Sequence, residues 1–364
     1  MRTSTRDRLP DSGVVERLVD ELWEAVVATH ERRATDVVLR ALADGVHPET
    51  LLLDVIAPVQ GKVGEEWAAN RLSVAQEHAA TAINERVVTA LTLHAAPDTA
   101  PDQGRITVSC VDGEWHALPA RLLAEVLTLR GWQVDYLGAQ VPTPHLVGHL
   151  HRTDADAVAL SGSIAVRLPT AHAAITACQA IGVPVLVGGA AFGPGGRYAR
   201  LLGADAWAPD ARAAADRLAR GPLPRPQPDH QPADDLPHLA DQEYTMVTRN
   251  SASLVRTVLA SLEEAFPAMR GYSAAQRERT AEDLAHIVEF LATALYLGDA
   301  ALFTGFVTWT AGILTARGVP AHSLPPALGI LARELKDFPR AVNILEQALD
   351  TLATAPRTIA GKPL

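Results

Sequence analysis

The chain has 364 residues, 48% of them apolar and 5% aromatic, with a formal net charge of −10, a length that suits two or three domains with packed cores. The acidic balance argues against a nucleic-acid-binding chain, and no apolar run reaches the length that spans a bilayer. Two cysteines, Cys110 and Cys178, read as reduced thiols of a cytoplasmic protein, not a disulfide framework, and the short segment before Val14, mixed in charge, is not expected to be a signal peptide.

Residues 1–95 read as a four-helix bundle. Val15, Leu18, Leu22 and Val26 recur at helical spacing within Val14–Thr29, and Ser73-Val74-Ala75-Gln76 has the form of a capping box opening a helix toward Leu93. A loop with Pro97, Pro101 and Gly104 follows. From residue 104 to 220 the pattern changes. Short β-rich runs (Ile106–Cys110, Gln133–Leu137, Ala157–Leu160, Val183–Val187, Ala206–Trp207) alternate with helical stretches (Leu118–Leu129, Pro144–His151, Thr170–Ile181 and one from Asp210). That alternation predicts a five-stranded parallel, doubly wound sheet of flavodoxin-like, Rossmann-like type. Residues 221–237 carry six prolines and read as a stiff linker. Residues 238–364 return to helices. Glu282–Leu297, Ala300–Arg317 and Leu324–Leu349 are amphipathic, with stops at Gly298-Asp299 and Gly318-Val319-Pro320. The fold class expected is therefore α/β plus all-α.

Open α/β sheets bind ligands beyond the carboxyl ends of their strands. Three such ends carry chemistry: Glu114-Trp115-His116 after the first run, Ser161-Gly162-Ser163 after the third, and Gly188-Gly189 after the fourth. Neutral imidazole is a good transition-metal ligand, and a carboxylate two residues away can orient it and raise its basicity. Glu114 and His116 suit those roles, Ser161 offers a further hydrogen bond, and glycines let a ligand run close to the backbone.

The spacing of these residues resembles the cobalamin-binding domain family, whose pattern is acidic-x-His-x-x-Gly, then Ser-x-Leu, then Gly-Gly. The chain keeps Glu114, His116, Ser161, Gly188 and Gly189; it has Pro119 where glycine is usual and Ser163 where leucine is usual. The resemblance implies cobalamin as cofactor, His116 as the lower ligand to cobalt, Ser161 and Ser163 among the cofactor-binding residues, and Gly188 and Gly189 beside the displaced nucleotide tail. The bundle adds a second match. Trp67 followed ten residues later by Glu77-His78 resembles the Trp-x9-Glu-His signature of the cap in light-sensing cobalamin-dependent repressors. That likeness places Trp67 and Glu77 over the upper face of adenosylcobalamin, near the adenosyl group. The repressors carry a histidine directly after the tryptophan, where this chain has Ala68; His78 is the nearby substitute. They also carry a DNA-binding helix-turn-helix domain, for which no room is expected before Val14.

The C-terminal helices, with Asp283–Leu291, Leu297–Phe303, Trp309 and Arg317–Pro320, resemble the globin-like or phycobiliprotein-like module of the photocobilin family, which binds biliverdin beside the cobalamin. A bilin needs an apolar slot, cations for two propionates and a polar group near the pyrroles. His286 and Tyr272 are the candidate contacts, Tyr296 and Trp309 candidate walls, and Arg249, Arg256, Arg270, Arg277 and Arg279 candidate cations. No cysteine follows Cys178, so a bilin there would be held without a thioether link. A haem held by a helix histidine is an alternative ligand.

The resemblance implies a photoreceptor and not an enzyme, with no catalytic residues. Photolysis of the cobalt–carbon bond would change its conformation or quaternary structure. Expected partners are the two chromophores, further copies of the chain in light-dependent assembly, and a downstream protein; neither nucleic acid nor membrane is expected. The rival functions are a corrinoid carrier of a methyltransferase system and a cobalamin-only light sensor whose C-terminal part is an interaction domain.

Overall fold

A computed structural model describes residues 12–95, 102–226, 236–319 and 321–354. Pro97, Pro101 and Pro320, and Pro228 and Pro232 among the six linker prolines, lie outside the described residues.

The chain opens with α1 (Ser12–Val27), α2 (Glu31–Ala43) and α3 (Pro48–Thr50), which runs through a π-helical segment (Leu51–Ile56) into α4 (Ala57–Ala68); α5 (Val74–His94) follows. The capping box at the start of α5 forms, with Ser73 Oγ accepting from Gln76 N and the Gln76 side chain accepting from Ser73 N. Five strands come next: β1 (Arg105–Cys110), β2 (Gln133–Gly138), β3 (Ala157–Ser161), β4 (Val185–Gly188) and β5 (Ala206–Ala208). Between and after them run α6 (Ala117–Leu129), α7 (Thr143–Thr153), α8 (Leu168–Ala180), α9 (Arg197–Leu201) and α10 (Ala211–Ala219). All strand pairs are parallel, in the order β2-β1-β3-β4-β5. This is the flavodoxin-like order, with its switch point between β1 and β3. The runs are apolar because β1 and β3 are buried along nearly their whole length.

The described chain forms two compact units. One holds the residues up to Ser161, Cys178–Gly189 and Asp205–Pro226; the other holds Gly162–Ala177, Ala190–Ala204 and the described residues from Leu236 onward. In the first unit the bundle and the sheet share one core: Leu22, Val26, Ile56, Val63, Val87 and Leu91 join Val108, Leu122 and Val126 in a single buried cluster. The π-helical segment and α5 both pack on α6, which in turn covers β1 and β2.

The second unit contains α11 (Glu243–Ala265), α12 (Ala274–Leu297), α13 (Ala300–Ala316), α14 (Leu324–Glu334) and α15 (Pro339–Thr354). Four details depart from expectation. Helix α11 was not singled out, because Thr245, Thr248, Asn250, Ser251 and Ser253 lower its propensity, although buried Val247, Leu254, Val258 and Leu262 keep helical spacing. Helix α12 starts at Ala274, not Glu282, behind a second complete capping box formed by Ser273 and Gln276. The single helix expected over Leu324–Leu349 is two. Pro339 lacks the N–H a helix interior needs and sits instead at the first position of α15. There buried Glu243 replaces a local cap, its Oε1 accepting from Arg340 N at 3.0 Å and its Oε2 from Ala341 N at 2.8 Å. Pro237, read as linker, opens a 3-10 turn over Pro237–Asp241. Among the described residues no helix is long and apolar enough to cross a membrane.

Candidate functional site

The sheet register aligns the ends of its strands. Cys110 pairs with Ser161, Ser161 with Gly188, and Gly188 with Ala208, so one rung crosses four strands at the carboxyl edge. Gly188 is confined there: a Cβ would lie 3.0 Å from Ala208 O. Gly189 follows with φ +98°, a backbone that favours glycine. Ser161 is buried, and its carbonyl accepts from Val111 N at 2.9 Å, which ties the loop after β1 to the end of β3. Ser163 lies two residues further on, in the segment that belongs to the second unit.

That loop builds the central pair. Glu114 is fully buried. Its backbone N–H donates to Val111 O at 2.8 Å and its carbonyl accepts from Gln140 N at 3.2 Å, anchoring it between the ends of β1 and β2. Its Oε1 accepts from Trp115 N and His116 N, both at 2.9 Å, and lies 2.6 Å from His116 Nδ1. An oxygen that already accepts two backbone N–H groups leaves the imidazole to donate, so Nδ1 carries the proton and Nε2 the lone pair. Among the described residues no hydrogen bond engages Nε2, and the His116 side chain is 36% exposed. His116 is the N-cap of α6. Pro119 therefore falls in the first helical turn, where N–H groups have no intrahelical partner, and its presence removes no helix bond. Beneath the pair, Cys110 Sγ lies 3.6 Å from His116 O; burial and the neighbouring Glu114 charge push its thiol up to about 12.

The start of α5 reaches the same place. The His78 ring lies 6.4 Å from the Trp115 ring, which is stacked on His116 at 4.0 Å. His78 Nδ1 lies 2.9 Å from Val74 O and 2.6 Å from Glu77 Oε2. Glu77 is also the end of a partly buried polar relay: Asn84 Nδ2 donates to Gln60 Oε1, Gln60 Nε2 to Thr81 Oγ1, and Thr81 Oγ1 to Glu77 Oε1, at 2.8, 2.8 and 2.9 Å. Trp67 stands in the last turn of α4, partly buried against the bundle core. Sequence reading missed the relay and gave Trp115 no role. Thr81 lies one helical turn after Glu77 and was open to a spacing argument; Gln60 comes from another helix, and no local pattern announces it.

The candidates in the second unit are dispersed. His286 is exposed on α12, 3.6 Å from Glu289 Oε2; the hydrogen bond to Glu289 outweighs desolvation and raises its pKa. Tyr272 precedes the N-cap of α12, so thirteen residues separate it from His286, about 20 Å along a helix axis. Tyr296 bonds His172 Nδ1 through its hydroxyl at 2.8 Å and meets the Tyr244 ring edge-on at 4.8 Å. Trp309 adjoins the stacked Phe290–Phe306 pair. A cavity of about 200 Å³ between α11 and the end of α14 is lined by Met246, Asn250, Leu254, Glu334 and Phe338; it is below the roughly 300–1,000 Å³ of ordinary ligand pockets and touches neither His286 nor Tyr272.

Residues 18–92 and 104–219 match two family profiles, each described as a B12 binding domain. The chain carries B12-binding domains. Two relatives are HTH-type transcriptional repressors of Myxococcus xanthus. CarA is 31% identical over 201 residues, 50% of this chain and 65% of that protein. CarH is 33% identical over 177 residues, 47% of this chain and 57% of that protein. The match thus spans less than two thirds of either repressor. The solved Methanosarcina barkeri monomethylamine corrinoid protein shares the fold, with TM-score 0.50 and 21% identity over 57% of this chain and 99% of its own.

The cobalamin-binding assignment agrees with the residues present. His116 is oriented by a buried carboxylate and offers one nitrogen, and a lone imidazole suits a metal whose other positions its own macrocycle fills. Among the described residues no group of three or more His, Cys, Asp or Glu side chains could hold a metal ion.

Proposed function

We propose that this cobalamin-binding chain is a light sensor that takes adenosylcobalamin and is not itself an enzyme. The observation that carries the reading is the Glu114–His116 pair at the β1/β3 switch point, with the Glu77–His78 end of α5 brought to it through Trp115. Similarity to the CarA and CarH repressors supports the sensor, and similarity to a Methanosarcina acetivorans dimethylamine corrinoid protein keeps the carrier as its rival. Bound adenosylcobalamin supplies a cobalt–carbon bond that visible light breaks. The chain's own work is to bind and to respond. His116 would hold the cofactor's cobalt through Nε2 while Glu114 holds its Nδ1 proton. Ser161, Ser163, Gly188 and Gly189 take the nucleotide tail. Trp67, Glu77 and His78 would hold the cofactor from the bundle side, and Ala68 leaves the place after the tryptophan without a ligating side chain.

The three-part division belongs to the same proposal: a cap over 1–95, a cofactor domain over 104–220 and, beyond a 221–237 linker, a globin-like or phycobiliprotein-like part over 238–364 with biliverdin as its ligand, although His286 and Tyr272 are too dispersed to act as a common pair of contacts. Loss of the cap's hold on the upper ligand changes assembly of the chain with itself and with a downstream protein, without nucleic acid or membrane as partner.

The test is an absorption spectrum of protein mixed in the dark with adenosylcobalamin and biliverdin, desalted, then exposed to green light, with size-exclusion chromatography before and after. Retained cobalamin bands that change on illumination, together with a changed elution volume, are expected. Light-inert cobalamin would move the chain to the corrinoid-carrier reading. Cobalamin retained without a bilin band would remove biliverdin and leave the C-terminal helices as an interaction domain.

A further inference from the structure

Asn84 is wholly removed from water on a helix whose other buried residues, Ala80, Ile83, Val87, Val88 and Leu91, are apolar. Its Nδ2 donates to Gln60 Oε1 at 2.8 Å, while among the described residues its Oδ1 is buried with no hydrogen-bond partner. An aliphatic side chain would leave no such orphan, so stability alone does not account for an asparagine here. Thr81, one turn earlier, is unusual in its own way. Thr89, Thr128, Thr153 and Thr293 each turn the hydroxyl back to the carbonyl four residues before, the ordinary choice on a helix. Thr81 Oγ1 instead accepts from Gln60 Nε2 at 2.8 Å and donates to a side-chain oxygen, Glu77 Oε1, at 2.9 Å. A hydroxyl has one proton, and with Gln60 acting as donor to it that proton is committed to Glu77. All three bonds therefore point one way, from the bundle core to the Glu77 carboxylate. The other carboxylate oxygen, Oε2, lies 2.6 Å from His78 Nδ1, and the Glu77 side chain keeps 22% of its surface exposed. Glu77 is held from the core side and still reaches solvent.

We propose that Asn84, Gln60 and Thr81 are positioning residues for Glu77, and that they make the site select a cobalamin whose upper ligand carries hydroxyl groups over one whose upper ligand is a methyl group. The inference rests on the cobalamin reading with Glu77 on the bundle side, and it adds the residues that enforce the choice of adenosylcobalamin. A glutamate side chain on a helix surface is free about three torsions and loses that freedom when it accepts a ligand hydroxyl. One whose Oε1 is already tied to Thr81 loses less, which is the advantage of preorganisation. A sugar hydroxyl gains from such a pre-set acceptor, and a methyl group does not. One hydrogen bond of this kind corresponds to about two- to tenfold in affinity. The direction of the relay matters as much as its presence. A carboxylate at position 60 in place of the amide would take the Thr81 proton and turn the hydroxyl away from Glu77.

The experiment measures the equilibrium affinity of the full chain for adenosylcobalamin and for methylcobalamin in the dark. Wild type is compared with Thr81→Val, Thr81→Ser and Gln60→Glu, and stability is followed in parallel by denaturant titration. Wild type is expected to prefer adenosylcobalamin. Thr81→Val keeps the branched shape and removes the hydroxyl. It is expected to lose about two- to tenfold of that preference through adenosylcobalamin affinity alone, with methylcobalamin affinity unchanged. Thr81→Ser, which restores a hydroxyl, is expected to regain the preference, and Gln60→Glu to follow Thr81→Val. Residues that only stabilise the bundle would weaken both cobalamins alike, and that result would overturn the positioning role. A wild type that binds the two cobalamins equally, or a Thr81→Ser chain as impaired as Thr81→Val, would overturn it too, with the cobalamin reading intact. If wild type binds neither, the cobalamin reading itself fails. Should Thr81→Val not fold, Gln60→Glu decides by the same ratio of affinities, and an unchanged ratio there refutes the proposal.

Discussion

Glu114 gathers three N–H groups on one carboxylate oxygen while wholly removed from water. Such a group does two things: it holds the loop closed and it fixes which nitrogen of His116 is free. Partners that orient a metal-bound histidine typically carry a factor of 10–100 in affinity. Glu114→Gln is therefore expected to weaken cobalamin retention by about 10- to 100-fold in equilibrium dialysis. His116→Ala is expected to bind with the spectrum of cobalamin that lacks a protein ligand, and an unchanged spectrum would refute ligation by this residue. Cys110 is the counter-example at this scale. Burial and the Glu114 charge push its thiol up to about 12, so it is neutral near pH 7, and native protein is expected to resist iodoacetamide at Cys110 while unfolded protein reacts readily.

At the scale of elements, helices are completed by partners far away in the chain. The relay Asn84–Gln60–Thr81–Glu77 joins α4 to α5 inside the bundle. Gln60→Ala strands polar groups on both sides of it and is expected to cost about 1–3 kcal/mol, read by denaturant titration. Helix α15 is capped by Glu243 from the start of α11, and Glu243→Ala is expected to cost about 1–3 kcal/mol of thermal stability. These contacts mark the border of what the sequence disclosed. The five strands, the α5 capping box and the Glu114–His116 spacing are local patterns, and all were legible. The break before Pro339 and the first half of α12 were blurred by continuous apolar spacing. Gln60 and Glu243 act across 24 and 97 residues, and no periodicity carries such pairs.

For the molecule as a whole, the first unit is joined by charge as well as by its shared core. Glu49, in α3, accepts from Arg130 at the end of α6 (2.9 and 2.7 Å) and from Arg212 in α10 (3.2 Å), and Arg212 also pairs with Asp54 at 2.8 Å. Burial alone would raise the Glu49 pKa; the two guanidiniums outweigh it and hold the carboxyl below its ordinary value of 4.5. The folded pKa is depressed, so the stabilisation is present in full above the ordinary value and is lost as pH falls through the lower, folded one. Glu49→Gln is expected to lose about 2 kcal/mol at pH 7 and to flatten the acid limb of the stability curve, measured by melts from pH 7 to 3. An acid limb unchanged from wild type would assign the junction to apolar packing alone.

The Glu243 cap also sets a timetable. The carboxylate is made 97 residues before the backbone N–H of Arg340 that it receives. At about 5–20 residues per second on the ribosome, Glu243 waits roughly 5–20 seconds for its partner. Each strand and each His116 neighbour named above is already synthesised when that wait begins, since all of them precede residue 210. Synthesis therefore delivers the Glu114–His116 loop and the five strands before the N–H groups that Glu243 caps, and the newborn chain passes through an interval in which α15 has not yet met its cap.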